Sequence, residues 1–120
     1  MVKVVKRGQG KKAIGPAETE VAIFVDEVES LSIGSITFQP GQKTENHTRE
    51  VDETLYIIEG RTTVVVNDEE RFQLEEGDCI HLPAGTTHRH ENNSTENFTQ
   101  LWIFSPSGPE KDFKSEEGRL

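Results

Sequence analysis

All four histidines of this 120-residue chain, His47, His81, His88 and His90, fall inside one 44-residue window. Neutral imidazoles, joined by a carboxylate, are the donors that hold a divalent transition metal while leaving coordination positions open. The competing reading for any one of them is a local hydrogen bond, on the surface or in the core. Strand alternation separates the candidates: residues two apart share a face. His88 and His90 therefore look the same way, as do His47 and Arg49. His81 has the opposite parity to Ile80 and Leu82, so if those two line the core, His81 lies outside the site.

Spacing adds a second signal. Gly41, five residues, His47, one residue, Arg49, three residues, Glu53, six residues and Gly60 form one segment. Gly77, five residues, Pro83-Ala84-Gly85, two residues, His88, three residues and Asn92 form another. The pair resembles the two signature motifs of the cupin family. The second fits at every defined position, and the first departs only at Arg49, where the family places a second histidine. The closing Ser105-Pro106 and Lys111-Asp112-Phe113 also look like the tail of small cupins.

This resemblance implies an all-β fold, a double-stranded β-helix of jelly-roll type, with the two motifs on facing strands. It implies a metal bound by His47, Glu53 and His88, a set suited to Fe(II), Mn(II), Ni(II) or Zn(II). His90 is a candidate fourth ligand or acid/base group, or a filler where the family often carries an aromatic residue. Gln100 could line the pocket beside Trp102. The family's habit of pairing through an outer sheet face implies a homodimer, with Phe24, Ile36 and Phe38 as contributors.

Arg49 is the serious departure, because a guanidinium stays protonated and cannot ligate. A unit charge about 5 Å from a dication costs about 7 kcal/mol at an effective dielectric of about 20. Three placements are open. Arg49 can swing away to grip a substrate carboxylate through its planar fork. It can pair with Glu53 and abolish the metal site, or point out of the pocket into an ion pair with the many acidic residues nearby, Glu50 and Asp52 among them, with no chemical role.

The elements that must position these residues are short. Gly34, Pro40-Gly41, Gly60, Gly77, Pro83 and Gly85 leave few windows for a long helix. Residues 21–28, 31–38, 54–58, 62–66, 71–74, 79–82 and 97–104 read as strands rich in β-branched and aromatic side chains. Asn67-Asp68 suits a tight hairpin, and Gly60 and Gly77 suit turns of positive φ. Residues 42–59 are ambiguous: Val51, Leu55 and Ile58 are spaced like a helix face, with Thr44 as a cap. The surrounding β content and the motif favour strands. The chain reads as a single domain, 1–120, with the motifs in 41–92, a basic arm at 1–15 and a tail at 105–120.

Composition restricts the partners. Thirteen basic against 22 acidic residues give −9, and five positive charges in the first twelve positions leave −14 for the rest. Such a body repels phosphate backbones, which argues against nucleic acid. No apolar run approaches the roughly 18 residues of a membrane span, and no apolar segment follows the basic start as a secretory signal requires. Cytoplasm is the default. Cys79, the one cysteine, excludes an internal disulfide and is expected to be a small buried hydrophobe. Tyr56 and Trp102 are expected to pack or to anchor an interface.

Two functions follow as expectations. One is a metal-dependent cupin acting on a small anionic molecule such as a sugar acid or keto acid, by isomerisation, cyclisation or oxygen insertion. The other is a metal-free binding module with Arg49 and Glu53 as a salt-bridged floor.

Overall fold

The computed structural model describes residues 2–115. Two antiparallel sheets enclose the core. The larger runs β11 (Lys114–Ser115), β1 (Lys11–Ile14), β2 (Glu20–Val25), β3 (Ser32–Phe38), β10 (Phe98–Ser105), β5 (Asp52–Glu59) and β8 (Cys79–Leu82). The smaller runs β4 (His47–Thr48), β9 (Thr87–Glu91), β6 (Arg61–Val66) and β7 (Glu70–Glu75). This is the expected double-sheeted jelly roll. Among the described residues no helix is long and apolar enough to cross a membrane.

Alternation builds the core. On β3 and β10 every second residue is buried, so Ile36, Phe38, Phe98, Trp102 and Phe104 all face inward. Phe38 stacks on Phe98 with ring centroids 4.6 Å apart. Gly34 sits opposite Trp102, where a Cβ would collide with the Ala22 carbonyl and the indole. Ile36 and Phe38 are therefore core residues, and the expectation that they contribute to a subunit contact is corrected. Phe24 is half-buried.

The ambiguous window resolves into strands. Leu55 and Ile57 point into the core from β5, while Tyr56 and Ile58 are exposed, and the helical spacing of Val51, Leu55 and Ile58 has no structural counterpart. Thr44 caps no helix; its hydroxyl accepts the His90 backbone N–H at 2.9 Å. Asn67 and Asp68 both take positive φ, and the Val66 carbonyl accepts the Glu69 N–H across the turn. At Gly60, φ is +82°, and a Cβ there would also press on the backbone of Asn97 and Phe98.

Cys79 is exposed, contrary to expectation. The reason is parity: Leu82 and Ile80 face the core, so Cys79 and His81 face out. The basic arm and the tail as far as Ser115 also contribute strands, while residues 116–120 of the expected tail lie outside the described residues. β1 pairs with β2 and β11 at the edge of the larger sheet, and Lys3 and Lys11 reach Glu27 and Asp26 at 2.9 and 2.7 Å. Such exposed pairs contribute little to stability.

Candidate functional site

Three strands from both sheets converge on one point inside the barrel. β4 brings His47, β9 brings His88 and His90, and β5 brings Glu53 from across the interior. Pairing registers His47 directly opposite His88, and their rings meet edge-on with centroids 4.3 Å apart. His88 and His90 share the inner face of β9, as parity predicts, at 5.1 Å. One donor atom from each of His47, Glu53, His88 and His90 lies within 4.8 Å of every other.

The supporting backbone explains the motif glycines, proline and asparagine. Asn92 is fully buried, and its side-chain amide donates to the carbonyls of Phe38 and Glu96 at 3.1 and 2.9 Å. Its backbone exchanges hydrogen bonds with Gly41 and Gln42. The Pro83–Thr86 turn needs positive φ at Gly85, whose N–H donates to the Arg49 carbonyl at 2.8 Å. This turn leads directly into β9 and His88.

Each imidazole is oriented by its neighbours. His47 Nδ1 lies 3.1 Å from the Glu45 carbonyl, and His88 Nδ1 lies 3.1 Å from the Thr86 carbonyl. A carbonyl can only accept, so in both rings Nδ1 carries a proton and Nε2 is the nitrogen left to serve the cluster. His88 Nε2 stands 3.4 Å from Glu53 Oε1, and His90 Nε2 stands 3.6 Å from Glu53 Oε2. Glu53 Oε1, His88 Nε2 and His90 Nδ1 are buried without a hydrogen-bond partner. Leaving buried polar atoms unpaired costs about 1 to 3 kcal/mol each.

Electrostatics keeps the donors in ligating form. Burial, reinforced by His88, His90 and Arg49, pulls His47 from 6.5 down to about 4. Burial also pulls His90 down, more strongly than Glu53 pulls it up. For Glu53 burial acts upward, but the two imidazoles beside it outweigh that and hold the carboxyl below its usual range. At neutral pH the cluster is thus neutral His47 and His90 around an ionised Glu53.

Arg49 lies beside the cluster and turns away from it. Its guanidinium reaches Asp112 at 3.6 Å and lies 5.7 Å from the centroid of the Phe104 ring. Its Nε is buried without a partner. The salt-bridged floor with Glu53 is not formed, because Glu53 faces the histidines; Arg49 does pair with an exposed acidic residue, Asp112, in place of Glu50 or Asp52. Gln100 does face inward, and its Oε1 is buried and unpaired. Arg49, Glu53, His47, His90 and Gln100 line one small cavity of about 30 Å³, which Pro16, Trp102 and Phe113 also line.

His81 stays outside, as expected. It is half-exposed, held by Thr54 at 2.8 Å and near Asp52 at 3.7 Å. Thr44, Asp112 and Phe113 are the site residues that patterning misses. The first carries no chemistry of its own, and the other two come from a polar tail whose sequence alone does not say where it docks.

The cupin-domain profile matches residues 34–104. The chain belongs to the cupin family. Tetracenomycin polyketide synthase protein TcmJ of Streptomyces glaucescens is 35% identical to this cupin over 78 residues, 64% of this chain and 52% of that protein. The match therefore spans about half of that relative's length. Among solved structures, the polyketide cyclase RemF of Streptomyces resistomycificus superposes with a TM-score of 0.80 at 21% identity, covering 97% of this cupin and 86% of RemF. KdgF of Halomonas sp. gives 0.81 at 18% identity, covering 92% and 99%. At these identities the structural likeness speaks to the fold.

Proposed function

We propose that this cupin holds a divalent transition metal on His47, Glu53, His88 and His90 and acts as a metal-dependent enzyme on a small carboxylate seated against Arg49. The observation that carries the reading is the set of convergent donor atoms, of which Glu53 Oε1 and His88 Nε2 lack any other partner. Donors about 2.1 Å from a metal stand about 3 to 4.2 Å apart, so the 4.8 Å cluster needs only small side-chain rotations to close on an ion. His90 supplies the third imidazole that Arg49 does not. Three imidazoles and one carboxylate suit Fe, Mn, Ni or Zn.

When bound, the metal supplies Lewis acidity at a carbonyl or enolate oxygen. The chain's own residues do the rest. The fork of Arg49 takes the carboxylate and fixes its orientation. Gln100 Oε1 accepts a hydrogen bond from a ligand hydroxyl. His90 Nδ1, buried and unpaired, is placed to hold a proton within the cavity. Phe38, Leu55, Trp102 and Phe104 exclude water. A polyketide cyclase among the structural neighbours is consistent with ring closure on an enolate-forming substrate, one of the reactions this arrangement can serve.

Calorimetric titration of pyruvate, a compact keto acid, into wild type and Arg49→Gln tests the seat. Binding in wild type that weakens at least tenfold in the variant supports it. Equal binding in both, or none in either, overturns it.

A further inference from the structure

The cavity beside the four donors is small for its proposed ligand. At about 30 Å³ it admits a water or two, whereas sites for small organic ligands run to several hundred Å³. A groove of about 250 Å³ lies directly outside, lined by Ile14, Gly15, Ala17, Asp112 and Lys114. Pro16, Arg49 and Phe113 line both spaces, so they form the wall between them.

That wall includes a short bridge with firm ends. At one end Glu110 is buried, its Oε1 accepting from the Ser32 hydroxyl at 2.6 Å and from the Gly108 N–H at 2.7 Å. At the other end β11 pairs with β1 through Lys114 and Ser115. Between them Asp112 holds Arg49 through one 3.6 Å ion pair while its own side chain remains 79% exposed. Phe113 meets Trp102 edge-on, with centroids 5.4 Å apart. An exposed ion pair of that length is weak and easily exchanged.

We infer that Asp112 is a built-in competitor for the anion seat: a ligand carboxylate takes Arg49 from it, Phe113 swings out, and the 30 Å³ cavity joins the 250 Å³ groove as one site. The inference rests on the proposed carboxylate-binding role of Arg49. It narrows the ligand to a compact carboxylate whose charge lies at Arg49 and whose remainder extends past Phe113 toward Lys114. Asp112 thereby sets specificity, because a neutral ligand of the same shape cannot displace it.

The test is pyruvate titration of the protein as purified, beside Asp112→Asn, Arg49→Gln and Phe113→Ala, with unfolding midpoints confirming that each is folded. Trp102, the one tryptophan, reports on Phe113 by its emission. Asp112→Asn is expected to bind pyruvate about two- to fivefold more tightly, and pyruvate is expected to shift wild-type emission toward that of ligand-free Phe113→Ala. Unchanged affinity in Asp112→Asn, with binding still lost in Arg49→Gln, overturns the competitor and leaves the anion seat standing. Equal binding in Arg49→Gln, or none in any variant, overturns both.

Discussion

Acid should destabilise the metal-stripped protein through His47 in a calculable way. Its folded pKa is about 4 against an ordinary 6.5, because burial and the neighbouring positive groups disfavour the imidazolium. The unfolded chain takes up a proton below pH 6.5 and the folded chain does not until about pH 4. Stability therefore falls as pH drops through that window and levels off beneath it. Integrating from pH 8 to pH 5 gives about 2 kcal/mol from this one group, and His90, shifted the same way, adds to it. Glu53 acts at lower pH: its depressed pKa contributes stability above about 4.5, so it hardly changes in this interval. The assay is urea unfolding after chelation, at pH 8 and pH 5, for wild type and His47→Gln. The wild type should lose about 2 kcal/mol more than the variant across the interval. Parallel losses would show that His47 is not held neutral among the other imidazoles, and the described site geometry would be wrong.

Three other perturbations probe the frame. Glu91 is held down to about 2 by Asn93, Arg89 and Arg71, so it contributes up to about 3 kcal/mol near neutral pH that is lost as pH falls from 4.5 toward 2; Glu91→Gln should be less stable in urea at pH 7, with less than half of the gap left at pH 3, and a pH-independent gap would contradict this. Gln100→Leu removes a buried unpaired oxygen, so stability should hold or rise by about 1 kcal/mol while pyruvate affinity falls; lost stability with unchanged affinity would place Gln100 in the frame, outside the ligand seat. Gly34→Ala drives a methyl into the Ala22 carbonyl and the Trp102 ring, and overpacking of this kind should cost about 3 kcal/mol in urea unfolding; a cost below about 1 kcal/mol would mean that β2, β3 and β10 are less tightly packed than described.

Strands whose inner faces are apolar were legible from the amino-acid pattern. β3, β5, β6 and β10 alternate or run continuously with Ile, Val, Leu and Phe, and the expected and observed spans agree to within a few residues. β9 carries the site and was invisible to hydrophobic patterning, because its inner face is His88 and His90 instead of aliphatic side chains. Only the histidine and glycine spacing disclosed it. β1 and β11 escaped for another reason: two short, charged segments from opposite chain ends become strands only by pairing with the sheet edge. Parity placed His81 outside the site correctly, and applied to Cys79 the same rule predicts exposure. Arg49 shows where local reasoning stops. Its partner, Asp112, is 63 residues away in sequence, and only the folded tail brings the two together.

Whether the four donors hold a metal is decided by the metal content per chain. Untagged wild type and His88→Ala, purified side by side, are compared by elemental analysis. Near-stoichiometric Fe, Mn, Ni or Zn in wild type, lost in a folded His88→Ala, is the expected outcome. A folded wild type with no metal, even after incubation with each of the four ions, would contradict it.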